Sequence, residues 1–371
     1  MKRFIVRTFI FTLPAILWFI TEGILPSSTF VWKTWEALLF NNYSLSIGKV
    51  FYPNSNLEMN TVGRLRHHTK NSVTVKESWK TDKLGNRNDN FIEDPDILLI
   101  GDSFVVGDAL TQDSTFTNQL QYYLNDNLKV YNIAPAEFSK LDYYLKEEII
   151  KKPRLVIFAR SERFIPEAMQ THPEPDSSLK NKIKTFLLDS DLFLKSCVFL
   201  DKCFRMYSKK WVQARLSGQK GNGLAGIEGS NMFFYNTKDN IEYPNQVTDF
   251  VADIDTTANR IISFKTYCDS LDIDFLFVPM PNKSSIYYDY VPLEKQPDYI
   301  FKLDSLLRMN DVRTFNTLAL YNEYRRTHGE LLYHLDDTHW NANGARILSK
   351  KIAEIIISGT KPKHYSENNE H

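Results

Sequence analysis

Ile97-Leu98-Leu99-Ile100-Gly101-Asp102-Ser103-Phe104 is the stretch on which the reading of this chain turns. Four apolar residues closed by a glycine predict a strand buried on both faces, the kind found in parallel sheets. Gly101 permits a tight exit from the strand, and Ser103 lands at its carboxyl end, ahead of Val105, Val106, Gly107 and a helix. In open α/β sheets function gathers at that end of the strands. A serine there, near a helix N-terminus whose partial positive charge favours an oxyanion, is a candidate nucleophile.

Outward from this stretch the same rhythm repeats. Short apolar runs at Lys129–Ile133, Leu155–Ala159, Asp274–Val278 and Val312–Phe315 alternate with helix patterns near 114–126, 139–151, 256–271, 293–308 and 341–358. Strands alternating with helices require crossover connections, which predicts an α/β fold: a central parallel sheet between two helical layers. The rhythm breaks over 164–255, which holds Pro166, Pro173, Pro175, a basic helix-like segment near 180–186 and a glycine-rich run at 218–229. That stretch reads as an insertion between the third and fourth strands, serving as a lid or partner surface. The expected organisation is a membrane anchor at 1–25, a polar lead-in at 26–90, the α/β domain at 91–360 and a polar tail at 361–371.

At the N-terminus, Lys2, Arg3 and Arg7 precede an apolar run from Thr8 to Ile20. A basic flank before such a run predicts that the flank stays in the cytoplasm and the remainder is exported. The run is short against the ~20 residues that cross a bilayer and is interrupted by Pro14. No convincing small-x-small cleavage site follows, so an uncleaved signal anchor is expected. Lys+Arg and Asp+Glu both number 45, and this balance argues against a nucleic-acid-coating protein, which would be distinctly basic. Cys197 and Cys203 are close enough in sequence to pair in an oxidising compartment, leaving Cys268 free. No zinc-like spacing occurs, and no metal or organic cofactor is expected.

Near the other end stands Leu335-Asp336-Asp337-Thr338-His339-Trp340-Asn341-Ala342-Asn343-Gly344, opening the last amphipathic helix. A serine hydroxyl becomes a good nucleophile when a histidine takes its proton, and a carboxylate holds that histidine in the required tautomer. Asp336 and Asp337 precede His339 by three and two positions, and either can orient it. The bland alternative is that both aspartates cap the helix.

The strand-Gly-Asp-Ser block and the Asp-x-(x)-His block resemble the first and last blocks of the SGNH (GDSL-type) hydrolases, over roughly 80–358. The resemblance implies a flavodoxin-like sandwich and an oxyanion hole built from the serine's own amide, a glycine amide after the second strand and an asparagine after the third. Here Glu137 stands at the glycine position, in Asn132-Ile133-Ala134-Pro135-Ala136-Glu137. After the third strand the sequence reads Ala159-Arg160-Ser161-Glu162-Arg163-Phe164, with Ser161 or Arg163 as substitute donors. Glu162-Arg163-Phe164, Pro279-Met280-Pro281-Asn282-Lys283 with Tyr287, and Asp337-Thr338-His339-Trp340 are similar to segments of the alginate O-acetyltransferase relatives. That likeness favours Asp337 as the triad acid. In those relatives, however, the Asp-x-His precedes the serine, whereas here Ser103 comes first.

Lys283 is a candidate cleft cation, for a carboxylated sugar or the oxyanion. Trp340 and Tyr287 are candidates either for sugar platforms or for packing, and Asp82, Arg87 and Asn88 are read as fixing the lead-in to the domain. The expected activity is acyl transfer through an acyl-serine, as O-acetylesterase or O-acetyltransferase on a cell-surface or secreted polysaccharide, in the periplasm or at the cell surface. For a transferase, the resemblance implies a membrane-bound partner that delivers acetyl groups. The contrasting expectation is a catalytically degenerate SGNH module that binds glycan or scaffolds an export complex, motivated by Glu137 and the missing asparagine.

Overall fold

In the computed structural model the described residues are 1–31, 33–42, 45, 49–62, 65, 72–165, 187, 190–217, 223–225, 232–237, 240–241, 254–291 and 295–359. The chain opens with α1 (Lys2–Ile24), which contains Pro14. By length and composition it can cross a membrane, and its apolar window is unburied, with a mean hydropathy of 1.9. After a short α2 (Thr34–Leu38), strands β1 (Asn56–Val62) and β2 (Thr74–Lys80) pair antiparallel.

The α/β unit begins at β3 (Ile97–Gly101), in which every residue is buried. A single turn, α3 (Ser103–Val106), leads through α4 (Phe116–Tyr123) to β4 (Val130–Asn132), and α5 (Phe138–Lys146) leads to β5 (Leu155–Ser161). Next come α6 (Asp191–Arg205), α7 (Tyr207–Ser217) and a small antiparallel sheet of β6 (Gly223–Ala225), β7 (Phe233–Thr237) and β8 (Asn240–Ile241). Helix α8 (Ile254–Ser270) then returns the chain to the main sheet at β9 (Asp274–Met280). The chain closes through α9 (Lys283–Ile286), α10 (Tyr299–Met309), α11 (Thr317–His328) and α12 (Ala342–Ser358).

The main sheet runs β4-β3-β5-β9, all parallel. Helices cover both faces. On one, Phe138 of α5 stacks on Phe264 of α8 at 4.0 Å, over Phe158 of β5. On the other, α12 lies against α4, with Ser349 donating to the Phe116 carbonyl at 3.3 Å. The chain leaves β3 toward β4 on one side and returns to β5 on the other, so a crevice opens at the carboxyl ends of β3 and β5. Gly101 sits beside it because there is no room for a side chain: an added Cβ would lie 2.0 Å from the Ala159 carbonyl oxygen of β5.

Two expectations need correction. Val312–Phe315 contributes a single parallel bridge, Phe277 to Thr314, and not a strand. Cys197, Cys203 and Cys268 are all free and buried. Cys197 and Cys203 are six residues apart on α6, a rise of about 9 Å and a turn of about 120° round the helix, beyond the ~7 Å limit for bridging Cα atoms. The helix-like segment at 180–186, Pro166, Pro173, Pro175 and the tail 361–371 lie outside the described residues, as does most of the glycine-rich run.

Candidate active site

Ser103 begins α3 and is half-buried. The preceding Asp102 caps this turn and ties two strands together. Its Oδ1 accepts the Phe104 amide at 3.0 Å, while Oδ2 accepts the Ser161 amide at 2.9 Å and the Ser161 hydroxyl at 2.5 Å. The aspartate of Gly-Asp-Ser thus pins the end of β3 to the end of β5 and fixes the direction of the next residue. Because α3 is one turn long, its dipole contributes little. The amides at its start matter more: the Ser103 N–H has no partner among the described residues.

His339 approaches from the far end of the chain. Residues Leu332–Asn341 fold back on themselves, with an antiparallel bridge between Tyr333 and Trp340 and a 3.1 Å bond from the His334 amide to the His339 carbonyl. This small hairpin brings His339 Nε2 to 2.8 Å from Ser103 Oγ, across 236 positions of sequence. The other ring nitrogen, Nδ1, is 2.5 Å from Asp337 Oδ1, which also accepts the His339 amide at 2.8 Å. Phe104 lies against the imidazole at 4.8 Å between centroids and limits its tilt.

Asp336 points elsewhere. Its carboxylate accepts the amides of Leu65 at 3.1 Å and Val73 at 3.2 Å, so it holds the β1–β2 arm. Of the two adjacent aspartates, then, Asp337 meets the imidazole.

A second carboxylate was not singled out in the sequence. Asp108 is buried, with its Oδ2 3.9 Å from His339 Nδ1. The available signal was an acidic residue just past the turn that carries the serine, following Gly107, whose φ of +85° marks the end of that turn. Arg87 fixes this segment by donating to the carbonyls of Val106, Gly107, Leu110 (2.8 Å) and Ser78 (2.7 Å), its guanidinium 4.1 Å from the Trp79 ring. Asn88 exchanges hydrogen bonds with the backbone of Asn132, and the Asn132 side chain donates to the Val105 carbonyl at 3.0 Å.

The remaining candidates fall into two groups. Glu137 and Arg163 border the site. Glu137 follows a loop whose Ala136 amide donates to the Gly101 carbonyl at 2.9 Å, and its own N–H has no partner among the described residues. Arg163 is half-buried and reaches the Thr338 hydroxyl at 3.4 Å. Ser161, Lys283, Trp340 and Tyr287 do not present themselves to a substrate. The Ser161 hydroxyl is engaged by Asp102. Lys283 is fully buried, and its ammonium donates to four carbonyls: Phe233 (2.7 Å), His334 (2.5 Å), Leu335 (2.9 Å) and Asp337 (3.0 Å). Trp340 has no exposed surface and packs between Phe104 and Phe116. The buried Tyr287 hydroxyl accepts the Leu332 amide at 2.9 Å. The structure places Trp340 and Tyr287 in packing roles and uses Lys283 as an internal support of the histidine hairpin, while Ser161 braces Asp102 beneath the serine turn.

Glu162 is a further support. Its Oε2 accepts the Asn282 amide at 2.8 Å and the Ser285 hydroxyl at 2.6 Å, which links the end of β5 to the turn bearing Lys283. Among the described residues, no group of three His, Cys, Asp or Glu side chains is arranged to hold a metal ion.

A parallel sheet covered on both faces, with Gly-Asp-Ser at the carboxyl end of β3, is the architecture that the resemblance to the SGNH-type proteins implies. Residues 233–370 match a family described as the SGNH hydrolase-like domain, acetyltransferase AlgX. That segment includes His339 and Asp337, while Ser103 lies ahead of it. A search of curated proteins finds no significant match. Among solved structures, a Bacteroides fragilis protein designated an acylhydrolase aligns at 10% identity, TM-score 0.35, over 72% of this chain and 88% of its own. A mutant of Axe2, an acetyl-xylooligosaccharide esterase from Geobacillus stearothermophilus, aligns at 14% identity, TM-score 0.36, over 74% of this chain and 97% of its own.

Proposed function

We propose that this chain is an acyl-ester enzyme in which Ser103 is the nucleophile, His339 the general base and Asp337 the residue that orients the imidazole. The observation that carries the proposal is the continuous contact from Ser103 Oγ through both ring nitrogens of His339 to Asp337, at 2.8 and 2.5 Å. The match of residues 233–370 to the AlgX-type acetyltransferase domain supports the same chemistry.

Ser103 Oγ attacks the ester carbonyl carbon while its proton passes to His339 Nε2. The carbonyl oxygen becomes an oxyanion facing the Ser103 and Glu137 amides, with the Arg163 guanidinium at the rim as a third donor. The intermediate collapses, the C–O bond to the alcohol breaks, and the imidazolium returns the proton to the departing oxygen. Water or a sugar hydroxyl then attacks the acyl-serine by the same steps, giving hydrolysis or transfer. Acetylated polysaccharide outside the cytoplasm is the proposed substrate, with α1 as the anchor and Lys2, Arg3 and Arg7 on the cytoplasmic side.

The full chain and its Ser103→Ala variant, compared for hydrolysis of p-nitrophenyl acetate, test the proposal. The variant is expected to lose roughly 10³-fold or more in kcat. Mass spectrometry of an added oligosaccharide then separates transfer from hydrolysis. One observation favours a non-catalytic, glycan-binding reading: the Ser161 hydroxyl stands where the family has an asparagine donor, and it is spent on Asp102. Equal rates for the two proteins would select that reading.

A further inference from the structure

Helices α6 and α7 lie against the outer end of α1, and their contact is built in detail. Gly23 of α1 leaves no room for a side chain: an added Cβ would lie 2.5 Å from the Phe199 ring and 2.6 Å from Cys203 Sγ. Phe19 meets Phe204 edge to face at 5.4 Å. The Trp18 indole donates to the Ser208 hydroxyl at 2.9 Å, and Lys202 donates to the Leu25 carbonyl at 3.2 Å. On its other side α6 carries a buried ion pair within the helix, Asp201 with Arg205 at 3.1 Å, and both partners reach the body of the protein, Arg205 by donating to the Glu36 carbonyl at 2.8 Å. Asp201 also accepts the Asn41 and Asn42 amides and the Tyr52 hydroxyl.

The outward side of this helix pair is apolar in a way the soluble domain does not need. Phe199, Leu200, Phe204, Met206, Val212 and Leu216 are exposed, Phe204 to 59% and Leu216 to 83%. Isolated exposed apolar residues need no explanation, but a set continuous with a bare apolar helix marks an interaction surface. Helix α7 carries Lys209, Lys210 and Arg215 and no acidic residue.

The length of α1 suggests what covers this surface. Between Arg7 and Glu22 the uncharged stretch rises only about 21 Å, against ~30 Å of bilayer hydrocarbon. Glu22 would end it, yet Glu22 is buried and its carboxylate accepts both the amide (3.0 Å) and the hydroxyl of Ser208. With that charge turned inward onto α7, the apolar surface continues past it to Ile24 and across to Phe204 and Met206. A short span is accommodated by neighbouring apolar elements at modest cost.

We infer that α6 and α7 form a collar seated in the outer leaflet of the membrane, with the Phe204–Met206 turn among acyl chains and the basic α7 against anionic phospholipid headgroups. The inference rests on the membrane-anchor reading of α1 given above. The collar sets the body of the enzyme at a fixed attitude to the lipid surface, because Asp201 and Arg205 make α6 rigid with it.

The test is the full chain in vesicles of phosphatidylcholine and phosphatidylglycerol, with a nitroxide attached at Phe204→Cys, at Phe11→Cys on the anchor, or at the exposed Met309→Cys on α10. The native cysteines are buried. Collision with dissolved oxygen and with a water-soluble nickel chelate reports the surroundings of each label. At Phe204→Cys, nickel accessibility is expected to be several-fold lower than at Met309→Cys and oxygen accessibility higher, matching Phe11→Cys. Lipid at position 11 with water at position 204 overturns the collar and leaves the anchor standing; water at both overturns both. Shielding of position 204 from both reagents identifies a protein cover, a second copy of this chain, and also overturns the inference.

Discussion

The two loops that meet at the candidate site are held from behind by the same device with different chemistry. Under the serine loop, the Arg87 guanidinium gathers the carbonyls of Ser78, Val106, Gly107 and Leu110. Under the histidine hairpin, the Lys283 ammonium gathers those of Phe233, His334, Leu335 and Asp337. Each cation gathers carbonyls of its loop together with one from a neighbouring strand, Ser78 of β2 for Arg87 and Phe233 of β7 for Lys283. The difference lies in the cation: arginine presents a planar fork stacked on Trp79, while lysine presents a compact charge that can donate to acceptors in many arrangements. The serine loop is therefore fixed in angle, and the histidine hairpin is fixed mainly in position. Orientation of the imidazole is left to Asp337 and Phe104.

The largest effect is expected at the paired aspartates of the histidine hairpin. Asp337→Asn is expected to lower kcat by about 10³- to 10⁴-fold with little change in Tm, since an amide favours the wrong histidine tautomer. Asp336→Asn is expected to cost less than about tenfold in kcat, because its partners are the amides of the β1–β2 arm and not the ring. Parallel steady-state kinetics on the two variants check this, and equal losses would mean that the two carboxylates share the role.

Lys283→Met takes the cation away from four carbonyls, of which Leu335 keeps the Phe233 amide, so a loss of stability of about 3 kcal/mol is expected, read by urea denaturation. Arg87→Lys keeps the charge and loses the fork and the stacking on Trp79. A smaller cost of about 2 kcal/mol is expected, together with a fall in kcat at unchanged KM as Ser103 loses its fixed direction. If Arg87→Lys proved the more damaging to stability, the contrast between the two cations would be wrong.

The smallest effect concerns pH. Lys140 donates to Asn86 Oδ1 and the Ile133 carbonyl, and burial pushes its pKa down from 10.5 to about 8, with Asp82 pulling the other way. The unfolded chain therefore binds more protons than the native one above about pH 8, and stability rises with pH there. Wild-type Tm is expected to climb between about pH 8 and pH 9.5 relative to Lys140→Met, in which that climb is absent.

What sequence disclosed here follows physical locality. Strand β3 was legible because its apolar run and closing glycine are contiguous, and the same holds for the other sheet strands and for α12. Helix α11 went unread, since its amphipathic turn count competes with the short apolar run before it. Val312–Phe315 has strand composition but finds a partner only at Phe277. Lys283 and Trp340 look alike in sequence whether they serve a substrate or a core. Only the folding back of Leu332–Asn341 buries them, and that depends on contacts more than 50 positions away, such as the one from Lys283 to Asp337. Asp108 was missed for the same reason: its neighbour, His339, arrives from the other end of the chain.

The clasp made by Arg87 and Asn88 has a practical corollary for anyone preparing a soluble fragment. A chain starting at residue 91 would look like a clean α/β unit, but it would lack the guanidinium that holds Val106–Leu110 and the amide that holds Asn132. Tyr131 would lose Asp82 as well, whose carboxylate accepts its hydroxyl at 2.7 Å. Such a fragment would lose the scaffolding on which the serine stands. Excision between the end of α1 and α2 preserves it, so the hairpin arm belongs with the α/β domain.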